Sequence, residues 1–144
     1  MTGKPDKATV AAWIGLSRAQ RVAIARVEAC LKAQGLPPLA WYDALWELEK
    51  AGECGLRPFE LERALLFEQY NLSRLARRLS EAGLIDKKVC DVDGRGQTLK
   101  ISEAGRQMRS RMWETYSQAI EEAVGAKLSS AEAQSLAELL LKLE

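Results

Sequence analysis

One ten-residue stretch concentrates side chains suited to hydrogen bonding with a polar partner. Between Gln69 and Arg78 the chain has three arginines and no acidic residue. Leucines at positions 72, 75 and 79 recur at helical spacing, which predicts a helix with one buried face. Amides of this kind pair with adenine, guanidinium groups pair with guanine, and hydroxyls reach bases or phosphates, so the face has the chemistry to read DNA. The candidate contacts are Gln69, Tyr70, Asn71, Ser73, Arg74, Arg77 and Arg78.

A second candidate is the arginine in the segment Asp93-Gly94-Arg95-Gly96. The flanking glycines let the backbone approach a partner closely and leave the Arg95 side chain clear. An arginine placed in this way can enter a narrow minor groove of DNA, where the potential is most negative. Asp93 would brace the guanidinium through a salt bridge, and Lys87 and Lys88 would meet phosphates. Taken alone, the Asp-Gly pair is more typical of a plain solvent-exposed turn.

Capping and breaking residues define the elements that must position these side chains. Ser17 and Gln20 fit a capping box, and the first dozen residues before that box are expected to be frayed. A turn at 65–67 between two short helices would have to be buried, and Gly83 suits a left-handed C-cap. The predicted order is helix 17–34, helix 38–52 or 38–55, two short helices within 56–83, strands 84–89 and 98–101, a long helix capped by Ser102, and a last helix capped by Ser129 with Glu132.

This order predicts a mainly α fold with a small β-hairpin wing, because two short helices followed at once by a hairpin form a winged helix-turn-helix. The expected division is an N-terminal tail and dimerisation helix over 1–36, a DNA-binding domain over 37–101, and C-terminal dimerisation helices over 102–144. The outer helices are too apolar for a lone small domain, so we expect them to pair with a second copy.

Composition excludes several classes of protein. The chain of 144 residues has no histidine, which removes the commonest general base and metal ligand, and its three cysteines show no CxxC spacing. We therefore expect no enzyme, no metal and no cofactor. Neither a membrane span nor a signal peptide is apparent, so a cytoplasmic protein is expected. The net charge of +1 conceals a basic segment, 57–111, at +4 and an acidic segment, 112–144, at −4.

The stretch NLSRLARRLSEAGLIDKKVCDVDGRGQTLKISEAGR, residues 71–106, resembles the MarR family of transcriptional regulators. The matching motifs are Arg78-Leu79 through Gly83-Leu84-Ile85, the wing Asp93-Gly94-Arg95-Gly96, and Ser102-Glu103-Ala104-Gly105. The resemblance implies a homodimeric repressor on a pseudo-palindromic site in double-stranded DNA. It also implies that Arg95 is the wing arginine with Asp93 as its bracing acid, and that a small aromatic or anionic effector binding between the lobes releases the DNA. One departure is Phe67-Glu68-Gln69, where family members commonly have a Ser, Thr or Asp cap.

Two alternatives keep the same fold. A redox-sensing regulator would need an accessible cysteine with a lowered pKa. Cys90, beside Lys87 and Lys88, is the best candidate. Cys30 is expected to lie in the core, and Cys54 has Glu53 beside it. A protein-interaction module without DNA binding is opposed by the arginines at 74, 77 and 95. Trp13, Trp41, Trp46 and Trp113 could line an effector pocket, although tryptophans on such helices are more often core.

Overall fold

The computed structural model describes residues 3–67, 71–89 and 96–144. It confirms a mainly α fold with one two-stranded antiparallel hairpin. A short π-helical segment, Glu121–Gly125, follows the fifth helix. The elements are α1 Lys7–Ala33, α2 Leu39–Ala51, α3 Pro58–Ala64, α4 Leu72–Glu81, β1 Ile85–Val89, β2 Gln97–Ile101, α5 Glu103–Ile120 and α6 Ser130–Leu141.

The chain divides into two compact units, one of residues 1–30 and 116–144 and the other of residues 31–115. The second unit has its own hydrophobic core, formed where α2, α3 and α4 meet the hairpin. Burying leucine side chains on this scale is the main source of its stability. The fully buried members of that core are Ala44, Leu45, Leu48, Leu61, Leu79, Ile85 and Ile101.

The hairpin pairs β1 with β2 in a register that places Ile85 opposite Ile101 and Val89 opposite Gln97. Both isoleucines are buried, so the base of the hairpin is anchored in the core. Leu56 adds an isolated bridge on the other side of β2, where its N–H donates to the Leu99 carbonyl at 2.9 Å and its own carbonyl accepts from Leu99 at 2.7 Å. Gly55 lies directly beside this bridge, and a Cβ there would overlap the Leu99 carbonyl oxygen.

The prediction that α1 begins at Ser17 is wrong, because the helix begins at Lys7. Asp6 supplies the cap: its carboxylate accepts the N–H of Thr9 at 2.7 Å, and that bond lowers the pKa of Asp6. Ser17 lies inside the helix, where its hydroxyl donates to the Trp13 carbonyl at 2.9 Å. A hydroxyl can bond back to the preceding turn as well as cap a helix, so spacing alone misplaced the start. Residues 7–12 are therefore helical, not frayed.

The later helix boundaries agree with the predicted caps. Gly83 adopts a φ of 75° just after α4, as expected for a left-handed residue past a helix end. The Ser102 hydroxyl accepts the N–H of Gly105 at 3.0 Å and donates to the Gly83 carbonyl at 2.6 Å. Ser129 and Glu132 form the capping box of α6, each side chain accepting the other's backbone N–H.

The unit of residues 1–30 and 116–144 leaves much of its apolar surface exposed. Val27 and Ala119 are the buried hydrophobic residues of its described part, and Arg26 pairs with Glu122 at 3.5 Å. Large side chains on α1 and α6 remain open, with Trp13 at 69% and Leu139 at 57%. The exposed set is Val10, Trp13, Ile14, Leu16, Val22, Ile120, Val124, Leu136, Leu139, Leu141 and Leu143. In the ranges 3–67, 71–89 and 96–144, no helix combines the length and hydropathy that crossing a membrane requires.

Candidate nucleic-acid interface

Helix α4 begins at Leu72 with Asn71 as its N-cap. The Asn71 side-chain oxygen accepts the N–H of Arg74 at 3.1 Å, which satisfies one of the unpaired donors at the helix start. Two of the predicted contacts, Gln69 and Tyr70, lie outside the described residues.

The two faces of α4 differ sharply in burial, as the leucine spacing predicted. Leu75 and Leu79 are buried against the core, and Leu72 is half-buried. The predicted contacts Ser73, Arg74, Arg77 and Arg78 are all exposed. Since the buried leucines fix the helix by one side, the opposite side presents a rigid polar row to the solvent.

The arginines of α4 have different surroundings. Arg77 lies 4.0 Å from the Glu81 carboxylate, a loose and exposed pair. Arg74 and Arg78 have no acidic partner among the described residues, and both line a shallow cleft of about 310 Å³. Trp41 and Pro38 from the start of α2 form its other wall. Guanidinium groups that lack an acidic partner in the described ranges, placed beside an aromatic ring, form a surface that attracts anions such as a backbone phosphate.

The described part of the wing places Lys87 and Lys88 on β1, both exposed. Lys88 pairs with Thr98 on β2, and the buried Thr98 hydroxyl donates to the Lys88 carbonyl at 3.0 Å. Lys100 of β2 forms a hydrogen bond with Glu53 at 2.6 Å, and this contact lowers the pKa of Glu53. Asp93, Arg95 and Cys90 lie outside the described residues. The structure thus exposes both predicted phosphate contacts of the hairpin.

The turn that leads from α3 toward α4 is not buried as predicted, since Leu66 is 69% exposed. Its backbone is held by Asp43 of α2, which is 7% exposed. Both carboxylate oxygens accept the Leu66 N–H at 3.0 Å, and one also accepts the Phe67 N–H at 3.2 Å. Burial raises the pKa of Asp43, and the two amide donors only partly oppose that rise. In the sequence, the one indication that Asp43 has a special role is that it is an acidic residue among apolar neighbours on α2.

A patch of aromatic and charged side chains lies on α2 and α5, again inside the unit of residues 31–115. Tyr42 stacks on Trp113 with ring centroids 5.9 Å apart. Arg109 binds Glu49 in a bidentate ion pair at 3.0 and 3.1 Å, which raises the pKa of Arg109, and its guanidinium lies 5.0 Å from the Trp46 ring centroid. We call Tyr42, Trp46, Arg109 and Trp113 the aromatic patch.

The expectation that the tryptophans are core is wrong for three of the four. Trp13, Trp46 and Trp113 are 69%, 36% and 42% exposed, and Trp41 is half-buried in the cleft beside α4. Of the cysteines that the structure describes, Cys30 is half-buried and Cys54 is exposed. Within these same ranges no cluster of three or more potential metal ligands occurs.

Comparison with known proteins gives a consistent result. A family model described as MarR family matches residues 34–96, which include α2, α3, α4 and β1. Among curated protein sequences none matches the chain.

Solved structures resemble the chain over nearly all of its length. Sco3205, a MarR family transcriptional regulator from Streptomyces coelicolor solved with DNA, has a TM-score of 0.82 and 22% identity, over 99% of this chain and 89% of that one. AbsC, of the same family and organism, has a TM-score of 0.81 and 20% identity, over 99% and 95%. BpsR of Bordetella bronchiseptica has a TM-score of 0.79 and 20% identity, over 98% and 97%.

At these identities the structures establish a shared fold, and the family model identifies the segment that contains the exposed row of α4. The family model thus confirms the MarR resemblance over residues 71–96, and the solved structures confirm the fold. Residues 34–96 thus match the MarR family, and the chain shares its fold along nearly its whole length with MarR family regulators of known structure.

Proposed function

We propose that the protein is a sequence-specific DNA-binding transcriptional regulator that acts as a repressor. One observation carries the proposal: α4 is fixed to the core by Leu75 and Leu79 while Ser73, Arg74 and Arg77 remain exposed. A helix that is held to the core by one face can place its other, exposed face in a major groove and keep its own packing. Trp41 and Arg78 of the neighbouring cleft would then meet the DNA backbone, which sets the position of the helix on the duplex.

The wing supplies a second region of contact in this proposal. Lys87 and Lys88 are exposed on β1 and would neutralise phosphates beside the major groove. Arg95 would read the minor groove with Asp93 bracing its guanidinium. Minor-groove width varies with sequence, so this arginine would favour operators with A·T-rich flanks.

We infer that the regulator is a homodimer. The unit of residues 1–30 and 116–144 exposes a set of large apolar side chains on α1 and α6 that a second copy would cover. Exposed apolar surface of this extent marks an interface, and a two-fold dimer is the commonest way to close one. In functional terms, segments 1–36 and 102–144 would dimerise and 37–101 would bind DNA.

An effector is proposed on the aromatic patch. BpsR is a protein whose DNA binding 6-hydroxynicotinic acid regulates, so a small aromatic acid is a reasonable ligand class. Since Arg109 already pairs with Glu49, and Lys50 with Glu47 at 2.7 Å, the patch favours a planar ring over a bare anion. Titration calorimetry with 6-hydroxynicotinic acid should show binding that Trp46→Ala removes and Phe59→Ala, another exposed aromatic, retains. Equal binding by both variants would place the ligand elsewhere.

The function itself is tested by selecting genomic fragments with the purified protein. A regulator of this kind should enrich a pseudo-palindrome whose half-sites lie about 10 bp apart, one helical turn. Affinity for that site should fall steeply with salt as phosphate contacts are screened. An affinity that depends neither on the DNA sequence nor on the salt concentration would instead favour the protein-interaction module.

Asn71 has two candidate roles, helix cap and adenine reader, which two substitutions separate. Asn71→Ser keeps a capping oxygen but removes the amide, whereas Asn71→Ala removes both. We expect Asn71→Ala to lower the free energy of unfolding by about 1 kcal/mol, because the Arg74 N–H loses its acceptor, and Asn71→Ser to lower it little. Denaturation and operator affinity are measured for both. If Asn71→Ser retains full affinity, residue 71 is a cap only.

A further inference from the structure

A single buried carboxylate joins the first helix of the DNA-binding segment to the turn that precedes α4. Asp43 is 7% exposed, and its donors on the described part of that turn are the backbone N–H groups of Leu66 and Phe67, at 3.0 to 3.2 Å. The bonded positions are separated by 23 and 24 residues along the chain. The contact is therefore a tertiary one, and it locks the turn to α2.

The side chains of the turn give it limited anchoring, in which Leu65 packs partly buried against the core. Leu66 is 69% exposed, and Leu65 and Phe67 are only half-buried, whereas Leu61 just before them is fully buried. A turn without a buried apolar side chain at its centre needs some other restraint to keep one conformation. The paired carboxylate oxygens provide it through backbone hydrogen bonds.

Burying this carboxylate has a desolvation cost, which its hydrogen bonds to the two amides partly offset. Because burial raises the pKa of Asp43, the contribution of this group to stability is complete below its ordinary pKa and is lost as the pH rises through the folded value. Buried charges with such a cost can be retained because they select one arrangement over others.

The restraint acts where the proposed DNA-reading face begins. Asn71, the cap of α4, lies four residues after Phe67, and Arg74 lies one turn further on. Leu75 and Leu79 fix the later part of the helix against the core, while the approach to its beginning is held from α2 by Asp43. A shift of that approach would swing the early side chains away from the bases they read.

We propose that Asp43 is the positioning residue of the recognition helix: by binding the Leu66 and Phe67 amides it sets the register in which the start of α4 meets the operator. This role rests on the proposed DNA binding, since Asp43 itself is buried and touches no base. It assigns operator specificity to a side chain of α2 as well as to the exposed row of α4.

The test compares Asp43→Asn with Ile101→Val, a mild core substitution at the base of the hairpin that serves as a stability control. Affinities are measured for the selected operator and for unrelated DNA, at a temperature where denaturation curves show each protein to be folded. We expect Asp43→Asn to lose at least about tenfold in operator affinity, as when one good base contact is lost, and to bind unrelated DNA as wild type does. The control should retain the wild-type ratio between the two.

Other outcomes would overturn the proposal. If affinity for operator and for unrelated DNA falls equally, Asp43 does not set operator specificity, and if neither changes, it does not position the helix. Asp43→Glu, which keeps the charge but lengthens the side chain, covers the case in which the amide variant does not fold, and it too should lose operator preference. Amide exchange at Leu66 and Phe67 reports the bonds without any DNA. Wild-type protein lacking operator preference would contradict the proposed function itself, even where those amides are protected.

Discussion

Alanine in place of Gly55 is expected to lower the free energy of unfolding by roughly 3 kcal/mol or more, the combined cost of a left-handed alanine and an overpacked backbone contact. Gly55 has a φ of 63°, a conformation that residues with a Cβ adopt at a cost. The added Cβ would also overlap the Leu99 carbonyl oxygen, the acceptor of the Leu56 N–H. The bridge that ties β2 to the chain before α3 would have to open.

The chain offers a matched control for this substitution. Gly35 has nearly the same backbone, with a φ of 68°, but open space where its Cβ would be. Gly35→Ala should therefore show only the conformational cost, about 1–2 kcal/mol. Urea denaturation at one fixed protein concentration measures both variants. Equal midpoints for the two would mean that the contact with Leu99 contributes nothing.

Loss of the Arg74 side chain is expected to weaken operator binding by about 1–3 kcal/mol, or roughly 5- to 150-fold, as for other base-contacting arginines. Arg74 lies in the first turn of α4, is exposed, and has no acidic partner among the residues described. Its backbone N–H, not its side chain, binds the Asn71 cap, so alanine leaves the helix start intact. The loss should therefore appear in binding and not in stability.

The kind of contact follows from how the loss depends on sequence and salt. An arginine that reads a base relaxes specificity at one operator position, whereas one that binds phosphate weakens all sequences and lowers the salt slope by about one. Arg111→Ala, at an exposed arginine of α5, is the control and should bind as wild type does. Unchanged affinity of Arg74→Ala for operator DNA would remove α4 from the proposed interface.

The parts of the fold that sequence reasoning predicted well depend on local signals. Leu75 and Leu79 mark the buried face of α4 by spacing alone, and Gly83 marks its end because a left-handed residue is needed there. The hairpin followed from a change in hydrophobic period between two glycine-bearing segments. Each of these signals lies within a few residues of the feature that it predicts.

The predictions that failed depend on contacts that spacing does not encode. Ser17 satisfies a capping pattern, yet its hydroxyl bonds inside a longer helix, and only the Asp6 contact shows where α1 begins. The partners of Asp43 lie more than twenty residues away along the chain, so no local pattern predicted this contact. The exposure of Trp46 and Trp113 is likewise set by which helices meet, and an amphipathic pattern cannot reveal that.

The hydrogen bonds between Asp43 and the turn have a consequence for which sequences this fold can tolerate. The acceptor is a side chain, but the donors are the main-chain amides of Leu66 and Phe67, which nearly every amino acid supplies. Proline is the exception, because it has no N–H. As far as this contact is concerned, positions 66 and 67 can hold any amino acid except proline. The one side chain that the contact requires is that of Asp43 on α2.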